Sequence, residues 1–294
     1  MNNTKIPTGS GVKIGVIDTG CQSHKDLRHS IVRQIALEID SETGTADSRD
    51  RNGHGTFVCG IISAKGGVAG VNGVAPDSKI VSIKATDENG ITNYNLITQG
   101  IYCAVLEGCD IINISIGGDN YNKKLHDAII YAYDRNIPIV CAAGNDGHFL
   151  NMNLIDYPAK YKQTIAIGGC DNTKDLALFS TIGKEIDFVA PSVDIYSTYL
   201  NNTYKKMSGT SFAAPYVTGI IALYLSVPEN KNKSVESLKI ALSEASVDLG
   251  NKGKDMYFGN GEININKLFN KNTGMLKSTL LHIKNLFRKI ISFF

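Results

Sequence analysis

Asp18, His54 and Ser211 are three side chains that together could carry out nucleophilic catalysis. A serine hydroxyl can attack a carbonyl, an imidazole can take and return its proton, and a carboxylate can orient and stabilise the imidazole. Such arrangements occur in several chain orders, and Asp followed by His and then Ser is one of them. Each residue also has an ordinary explanation, because Asp and Ser cap turns and helices and a lone His is usually structural.

The sequence around each of these residues places it where a reacting group must lie. Asp18 follows the apolar run 12–17, which predicts a buried parallel strand that ends at the aspartate. His54 stands between two glycines at the start of a predicted helix. Ser211 precedes the apolar run 213–225, which predicts a helix whose unpaired N-terminal N–H groups lie close to the serine hydroxyl.

The rest of the chain alternates apolar strands with helical segments. This alternation predicts an α/β fold, a three-layer sandwich with a mostly parallel central sheet and helices on both faces. Functional groups gather at the carboxyl ends of such strands, where Asp18 lies. The polar segment 38–53 is predicted to be a surface loop. The other predicted strands are 80–85, 109–116, 137–143, 164–167 and 186–189, and the other predicted helices are 57–64, 95–106, 125–133 and 235–245.

The composition is that of a globular domain, since 43% of the 294 residues are hydrophobic and 20% are charged. A net charge of +2 argues against a dedicated nucleic-acid binder, and no Gly-rich phosphate-binding fingerprint follows the first strand. The sequence has no run of about 18 apolar residues that could span a membrane and no secretory signal at its N-terminus, so we expect a cytoplasmic protein. The cysteines are expected to be free, buried thiols; they are Cys21, Cys59, Cys103, Cys109, Cys141 and Cys170.

The motifs around the three residues resemble the active-site signatures of subtilisin-like serine proteases. These motifs are Val-Ile-Asp-Thr-Gly (16–20), Asn-Gly-His-Gly-Thr (52–56) and Gly-Thr-Ser-Phe-Ala-Ala-Pro (209–215). The resemblance covers roughly residues 11–270 and continues through Gly-Val-Ala-Pro (73–76), Ser-Ile-Gly-Gly (115–118), Ala-Ala-Gly-Asn (142–145), Tyr-Pro-Ala-Lys-Tyr (157–161) and Val-Ala-Pro (189–191). Three features resemble the intracellular branch of the family most closely. They are Cys21 after the first motif, Cys141 before Ala142, and the lack of a secretory signal.

This resemblance implies a serine endopeptidase that works through an acyl-enzyme, with Asp18, His54 and Ser211 as its triad. Asn145 matches the amide of the family's oxyanion hole, which it forms together with the Ser211 backbone N–H. Segments 90–92 and 115–117 match the two walls between which a substrate peptide is added as a strand. The resemblance assigns these residues to the substrate site: Gly90, Ile91, Thr92, Ser115, Ile116, Gly117, Ala143, Gly144, Asp146 and Asp156.

Asp156 stands where many relatives have glycine, on the floor of the pocket for the substrate residue before the scissile bond. A carboxylate there would attract a long cationic side chain and disfavour apolar ones, and Asp146 lies near the pocket rim by the same comparison. We therefore expect cleavage after Arg or Lys, and a restricted range that suits the processing of a precursor or leader peptide. The alternatives are an Asp156 that points to solvent, a broad-specificity intracellular degradative protease, and a catalytically silent peptide-binding module.

Relatives typically bind calcium through an aspartate that follows the first motif and an asparagine on a nearby loop. Asp26 matches the aspartate, but Gly67 stands at the asparagine position and Lys65 lies beside it. One oxygen ligand is therefore missing. We expect that no cofactor is required, and Asp26 is the one candidate metal ligand.

The chain is predicted to consist of a peptidase domain, residues 1–270, and a basic amphipathic helical extension, residues 271–294. Apolar residues recur in the extension at spacings of four and three, among five Lys and Arg and no acidic residue. Such a helix could pack on the domain, on a second protomer, or on the anionic inner face of a membrane. The apolar positions are Leu276, Leu280, Ile283, Phe287, Ile290 and Phe294.

Overall fold

Apolar and β-branched runs form the strands of a central sheet in the computed structural model, which describes residues 7–37, 47–147 and 155–269. The sheet has the order β10-β11-β7-β6-β5-β4-β1-β3-β2, and its neighbours are parallel except β10 and β11. A separate antiparallel pair consists of β8 and β9. The strands are β1 (Lys13–Asp18), β2 (Ile31–Ala36), β3 (Lys79–Lys84), β4 (Ile111–Ile114), β5 (Ile139–Ala142), β6 (Ile165–Cys170), β7 (Ile186–Pro191), β8 (Ile195–Tyr199), β9 (Thr203–Met207), β10 (Ser246–Val247) and β11 (Glu262–Ile263).

Helices cover both faces of this sheet, because the strands are apolar on both sides. One core cluster joins α1, α4 and α5 to one face, and a second joins α2 and α3 to the other. Along β1, Ile14 and Val16 belong to the first cluster and Ile17 to the second, as the alternation of a strand requires. The helices are α1 (His54–Ser63), α2 (Tyr94–Leu106), α3 (Lys123–Tyr133), α4 (Thr210–Leu225) and α5 (Val235–Ala245). The predicted three-layer α/β sandwich is confirmed.

The carboxyl ends of three neighbouring strands meet the start of two helices at one edge of the sheet. Strand β1 ends at Asp18, Ser115 follows β4, and Asn145 lies three residues beyond β5. Helix α1 begins at His54, and α4 begins one residue before Ser211. Parallel strands direct their carboxyl ends to the same side, so this topology gathers side chains from distant parts of the chain.

The predicted strands and helices are present, with small differences at their ends, but several elements were not predicted. The predicted strand 109–116 is shorter, because Cys109 closes a turn through its N–H to the Ala104 carbonyl. Strand β2 escaped prediction because it is an edge strand with exposed Arg33 and Gln34. The β8–β9 pair is also polar; it packs on α1, where the hydroxyl of Thr198 donates to the Thr56 carbonyl.

Two sequence predictions fall partly or wholly outside the described residues. The helical extension 271–294 lies beyond them, as do residues 38–46 of the predicted surface loop. Within the described ranges, no helix is long and apolar enough to cross a membrane. All six cysteines are free as predicted; five are buried, and Cys103 is half-buried on α2.

Candidate active site

Asp18 and His54 form a partly buried hydrogen-bonded couple between β1 and α1. Asp18 is fully buried, and its Oδ1 accepts from the imidazole Nδ1 at 2.7 Å. Because Nδ1 carries the proton of this bond, the lone pair of the neutral ring lies on Nε2, on the other side of the ring. His54 is therefore held in the tautomer that can accept a proton from a nucleophile.

Two opposing effects act on the pKa of His54. Burial favours the neutral ring and lowers the pKa, but the charge of Asp18, its hydrogen bond and the charge of Asp50 outweigh burial. The pKa of His54 is consequently raised above its ordinary value of 6.5. The site therefore stabilises the imidazolium that forms when His54 takes a proton.

The Gly-His-Gly sequence permits this couple to form. Gly53 has a φ of 96°, a left-handed conformation that favours glycine and from which α1 starts at His54. A side chain at Gly55 would collide with the carbonyl oxygen of Gly20, beyond the end of β1. The two glycines thus bring the first turn of α1 against the end of β1, where Asp18 meets His54.

Ser211 lies in the first turn of α4 and is linked twice to the segment after β4. Its hydroxyl donates to the Ser115 carbonyl at 3.2 Å, and the Ser115 hydroxyl donates to the Ser211 carbonyl at 2.9 Å. The Ser115 hydroxyl accepts in turn from the buried Asn113 amide at 3.1 Å. Ser211 is thereby fixed at the start of α4, with its hydroxyl proton directed to the Ser115 carbonyl.

The Asn145 side chain is oriented by the residue that precedes Ser211. Its Oδ1 accepts from the Thr210 backbone N–H at 2.9 Å. Within a side-chain amide, only the oxygen can accept a hydrogen bond from a backbone N–H. The NH₂ group of Asn145 is therefore turned away from the Thr210 N–H. The side chain is exposed, which leaves this NH₂ as a donor beside Ser211. Such an exposed amide donor, held next to the residue before Ser211, is the kind of group that an oxyanion hole uses together with a backbone N–H.

One residue of each predicted substrate wall, Thr92 and Gly117, lines the same cavity. Residues 90–92 belong to a turn in which Asp87 accepts from Ile91 N–H at 2.8 Å, and the Ile91 side chain is 67% exposed. The opposite wall continues from Ser115 and Ile116 into Gly117. Between the walls lies a cavity of about 340 Å³ lined by Thr92, Asn93, Tyr94, Gly117, Gly118, Asp119 and Asn120.

Asp156 is half-buried, and its carboxylate lies against the loop that contains Gly144 and Asn145. A methyl group built on Gly144 would lie 2.8 Å from Asp156 Oδ2, and the Asp156 N–H donates to the Ala143 carbonyl at 3.0 Å. Asp146 is exposed at the same loop, and its N–H donates to the Thr181 hydroxyl at 3.0 Å. The structure thus brings Ala143, Gly144, Asp146 and Asp156 together next to Asn145.

Asp119 is a third carboxylate at this position that the sequence did not predict. Gly118 and Tyr157 exchange both backbone hydrogen bonds, at 2.9 and 2.8 Å. Asp119 and Asp156 flank this isolated antiparallel bridge on the same side, and their side chains are hydrogen-bonded to each other. Burial, the charges of Asp146 and Asp119 and a hydrogen bond with Asp119 raise the pKa of Asp156 to about 7, with Lys160 opposing.

The candidate metal ligand Asp26 is engaged by the protein itself. Its Oδ2 accepts from the Val71 N–H at 3.0 Å and from the Tyr204 hydroxyl at 2.9 Å. Within residues 7–37, 47–147 and 155–269, no three His, Cys, Asp or Glu side chains form a group that could hold a metal. Gly67 contributes no side-chain oxygen to this loop. The side chains of this loop therefore offer few of the six to eight oxygen ligands that Ca²⁺ takes.

The predicted surface loop contains a residue whose importance the sequence did not reveal. The sequence predicts that Asp50 belongs to a polar surface loop, but the residue is fully buried. Its carboxylate accepts hydrogen bonds from the backbone on both sides of His54. The spacing of Asp50 four residues before His54 is a signal that could have identified it as a partner of the helix N-terminus.

Comparisons of the sequence with known proteins identify the family of this chain. Residues 9–261 match the profile described as the Subtilase family, Peptidase_S8. The chain is 40% identical over 258 residues to Subtilisin DY of Bacillus licheniformis, a match that covers 87% of this chain and 90% of that protein. It is 40% identical over 243 residues to the Major intracellular serine protease of Bacillus subtilis (strain 168), covering 81% and 74%. Identity to Subtilisin E of the same organism is 39% over 260 residues, covering 88% and 65%.

Proposed function

Because the chain belongs to the subtilase family of serine endopeptidases, we propose that Asp18, His54 and Ser211 are its catalytic triad. The observation that carries this proposal is the 2.7 Å hydrogen bond from His54 Nδ1 to the buried Asp18, which leaves Nε2 as the base. The chain is a serine endopeptidase, and its substrates are peptides or proteins. The complete set of catalytic groups argues against a silent peptide-binding module.

In the proposed reaction, Ser211 Oγ attacks the substrate carbonyl while its proton passes to His54 Nε2. The Asp18 carboxylate stabilises the resulting imidazolium, and the oxyanion receives hydrogen bonds from the Asn145 NH₂ and the Ser211 backbone N–H. His54 then protonates the leaving amine, and the acyl group remains on Ser211. Water attacks this ester by the same sequence of proton transfers, which releases the second product and restores the hydroxyl.

Ser211→Ala tests the triad, with Ser208→Ala as a matched control three residues earlier. Ser208 is exposed, and its hydroxyl accepts from the Asp194 N–H at 3.0 Å. We expect Ser211→Ala to abolish both peptide hydrolysis and labelling by a fluorophosphonate, and Ser208→Ala to retain both. Full peptidase activity in purified Ser211→Ala would contradict the proposal.

We propose further that the enzyme cleaves after Arg or Lys, with Arg preferred. Asp156 and Asp119 lie next to each other near Gly144, and Asp146 is a further carboxylate whose charge acts on Asp156. A guanidinium can bond two carboxylate oxygens at once, whereas an apolar side chain would leave the charges unpaired in a partly buried pocket. Arg is therefore favoured by attraction and apolar residues are disfavoured by desolvation.

Turnover of matched peptides with Arg, Lys, Leu or Phe before the scissile bond measures this specificity. We expect Arg first and Lys second in the wild type, and loss of that order in Asp156→Gly. A wild type that prefers Leu or Phe would refute the role of Asp156. Near-equal turnover of all four peptides would instead favour a broad-specificity degradative protease.

The relative named as an intracellular protease supports the further proposal that this enzyme acts in the cytoplasm. A narrow specificity suits the processing of a precursor or leader peptide, because few cellular proteins would then be cut. Comparison of protein N-termini in cells with the wild type and with Ser211→Ala tests this role. A processing enzyme should alter one or a few N-termini after basic residues, and changes across many proteins would contradict it.

The basic extension 271–294 supports a proposed contact with an anionic membrane surface, carried by its sequence pattern alone. Co-sedimentation with vesicles of anionic phospholipid, for the full chain and for a truncation after Asn270, measures this contact. We expect only the full chain to bind. Equal binding of the full chain and the truncated chain would contradict the proposal.

A further inference from the structure

Asp50 binds both elements between which the catalytic couple is formed. Its Oδ1 accepts from the Thr19 hydroxyl at 2.9 Å, and Thr19 is the residue after Asp18. The same oxygen accepts from the Gly53 N–H at 2.7 Å, and Oδ2 accepts from the Thr56 N–H and hydroxyl at 2.8 and 2.6 Å. One fully buried carboxylate thus joins the end of β1 to the first turn of α1.

Thr19 completes this connection. Its hydroxyl donates to Asp50 and accepts from the Gly55 N–H at 2.8 Å, and its own N–H donates to Asp18 Oδ1 at 2.7 Å. His54 lies between Gly53 and Gly55, so hydrogen bonds to this network fix the backbone on both sides of it. Small displacements of catalytic groups are costly, because proton transfer requires near-ideal distances.

The charge of Asp50 has a second consequence. α1 lacks a side-chain cap at Gly53, and the carboxylate accepts N–H groups of its first turn, where a negative charge is favourable. The charged or titratable groups around His54 are Asp18 at the end of β1 and Asp50 before α1, with the buried thiols of Cys21 and Cys59 behind them. Both carboxylates favour the imidazolium over the neutral ring.

We propose that Asp50 is a positioning residue of the catalytic couple. Its hydrogen bonds hold His54 against Asp18, and its charge stabilises the imidazolium that forms during the reaction. This inference rests on the proposed triad and adds a second carboxylate that touches neither the substrate nor the reacting atoms.

Asp50→Asn tests the proposal, because it keeps the side-chain shape, removes the charge and replaces one acceptor oxygen by an NH₂ donor. We expect kcat per active site to fall about tenfold or more with little change in KM, since the loss falls on the transition state. The acid limb of kcat/KM should move to lower pH, because loss of a negative charge lowers the pKa of His54. Asp47→Asn is the matched control: this carboxylate lies on the same segment but pairs with Arg49 and Arg51, and its loss should leave the limb in place.

Active sites are counted by fluorophosphonate labelling, so a merely structural defect would lower the count without moving the pH profile. The proposal would be overturned if Asp50→Asn changed neither kcat per active site nor the acid limb of kcat/KM. If this variant does not fold, Thr19→Val tests the positioning role, since it keeps the Asp50 charge and breaks its link to β1. We then expect a lower kcat with the limb unchanged, and an unchanged kcat would overturn the proposal. Residual activity of Ser211→Ala is the separate result that would overturn the triad itself.

Discussion

The preference for Arg over Leu before the scissile bond should rise with pH, because Asp156 changes its charge near neutrality. Burial and the nearby charges of Asp146 and Asp119 raise the pKa of Asp156 to about 7. The ionised form attracts a guanidinium, and the neutral form accepts an apolar side chain without leaving a buried charge unpaired. A single pocket should therefore favour different substrates on the two sides of this pKa.

The size of the effect follows from the ionised fraction. A group with a pKa of about 7 is about one-tenth ionised at pH about 6 and about nine-tenths ionised at pH about 8. If Leu is accepted equally by both forms, the ratio of kcat/KM for Arg to that for Leu rises about tenfold over this range. If Leu is accepted only by the neutral form, the rise is about a hundredfold. Protonation of His54 lowers both constants equally, because kcat/KM reports the free enzyme, and it cancels in the ratio.

Competition between two peptides in one reaction gives this ratio directly. The peptides differ only in Arg or Leu before the cleaved bond, and the pH is varied at constant ionic strength. Asp156→Asn should give a ratio independent of pH, because its pocket has lost the titrating group. Asp119→Asn should keep the rise but move its midpoint to lower pH, since the opposing charge and hydrogen bond are removed. A flat ratio in the wild type, or a rise that survives in Asp156→Asn, would refute the reasoning.

Two further predictions concern the oxyanion hole and the loop around Asp26. Asn145→Ala should lower kcat by about 10²–10³ with little change in KM, as steady-state kinetics would measure, because its NH₂ acts on the oxyanion of the transition state; an unchanged kcat would contradict the assignment. EDTA should not lower the thermal unfolding midpoint, because Val71 and Tyr204 already donate to Asp26. Tyr204→Phe should instead reduce the free energy of unfolding by about 1–2 kcal/mol. An unfolding midpoint that falls in EDTA and recovers when calcium is added would contradict the prediction that the loop is independent of calcium.

Local sequence patterns predicted the elements that carry the catalytic groups. The apolar run before Asp18 and the long apolar run after Ser211 each correspond to one strand or helix, so their identity depends on few distant contacts. The family is also recognisable from short motifs, because these motifs meet local requirements of the backbone. The glycines beside His54, for example, allow the first turn of α1 to approach the end of β1. Strand β2 was missed because its exposed side chains follow no apolar period, and only its pairing with β3 makes it a strand.

Residues whose role depends on distant partners could not be predicted in this way. Asp119 reaches Asp156 only because Gly118 pairs with Tyr157 across a separation of 39 residues in the chain. The orientation of Asn145 depends on Thr210, which follows it by 65 residues. In the sequence, each of these side chains has the appearance of an ordinary polar loop residue.

The two groups of carboxylates in this enzyme differ in the donors that surround them, and this difference explains their roles. Asp50 accepts hydrogen bonds from four residues through both oxygens, so its charge is compensated whether or not substrate is present. Asp156 instead faces Asp119 and Asp146, which oppose its ionisation, and Lys160 offsets them only in part. The first charge can therefore serve as a permanent feature of the catalytic couple. If Arg is the preferred substrate residue as proposed, the second charge would be costly in the empty pocket and relieved when the guanidinium enters, so we expect the binding of Arg to be coupled to the loss of a proton.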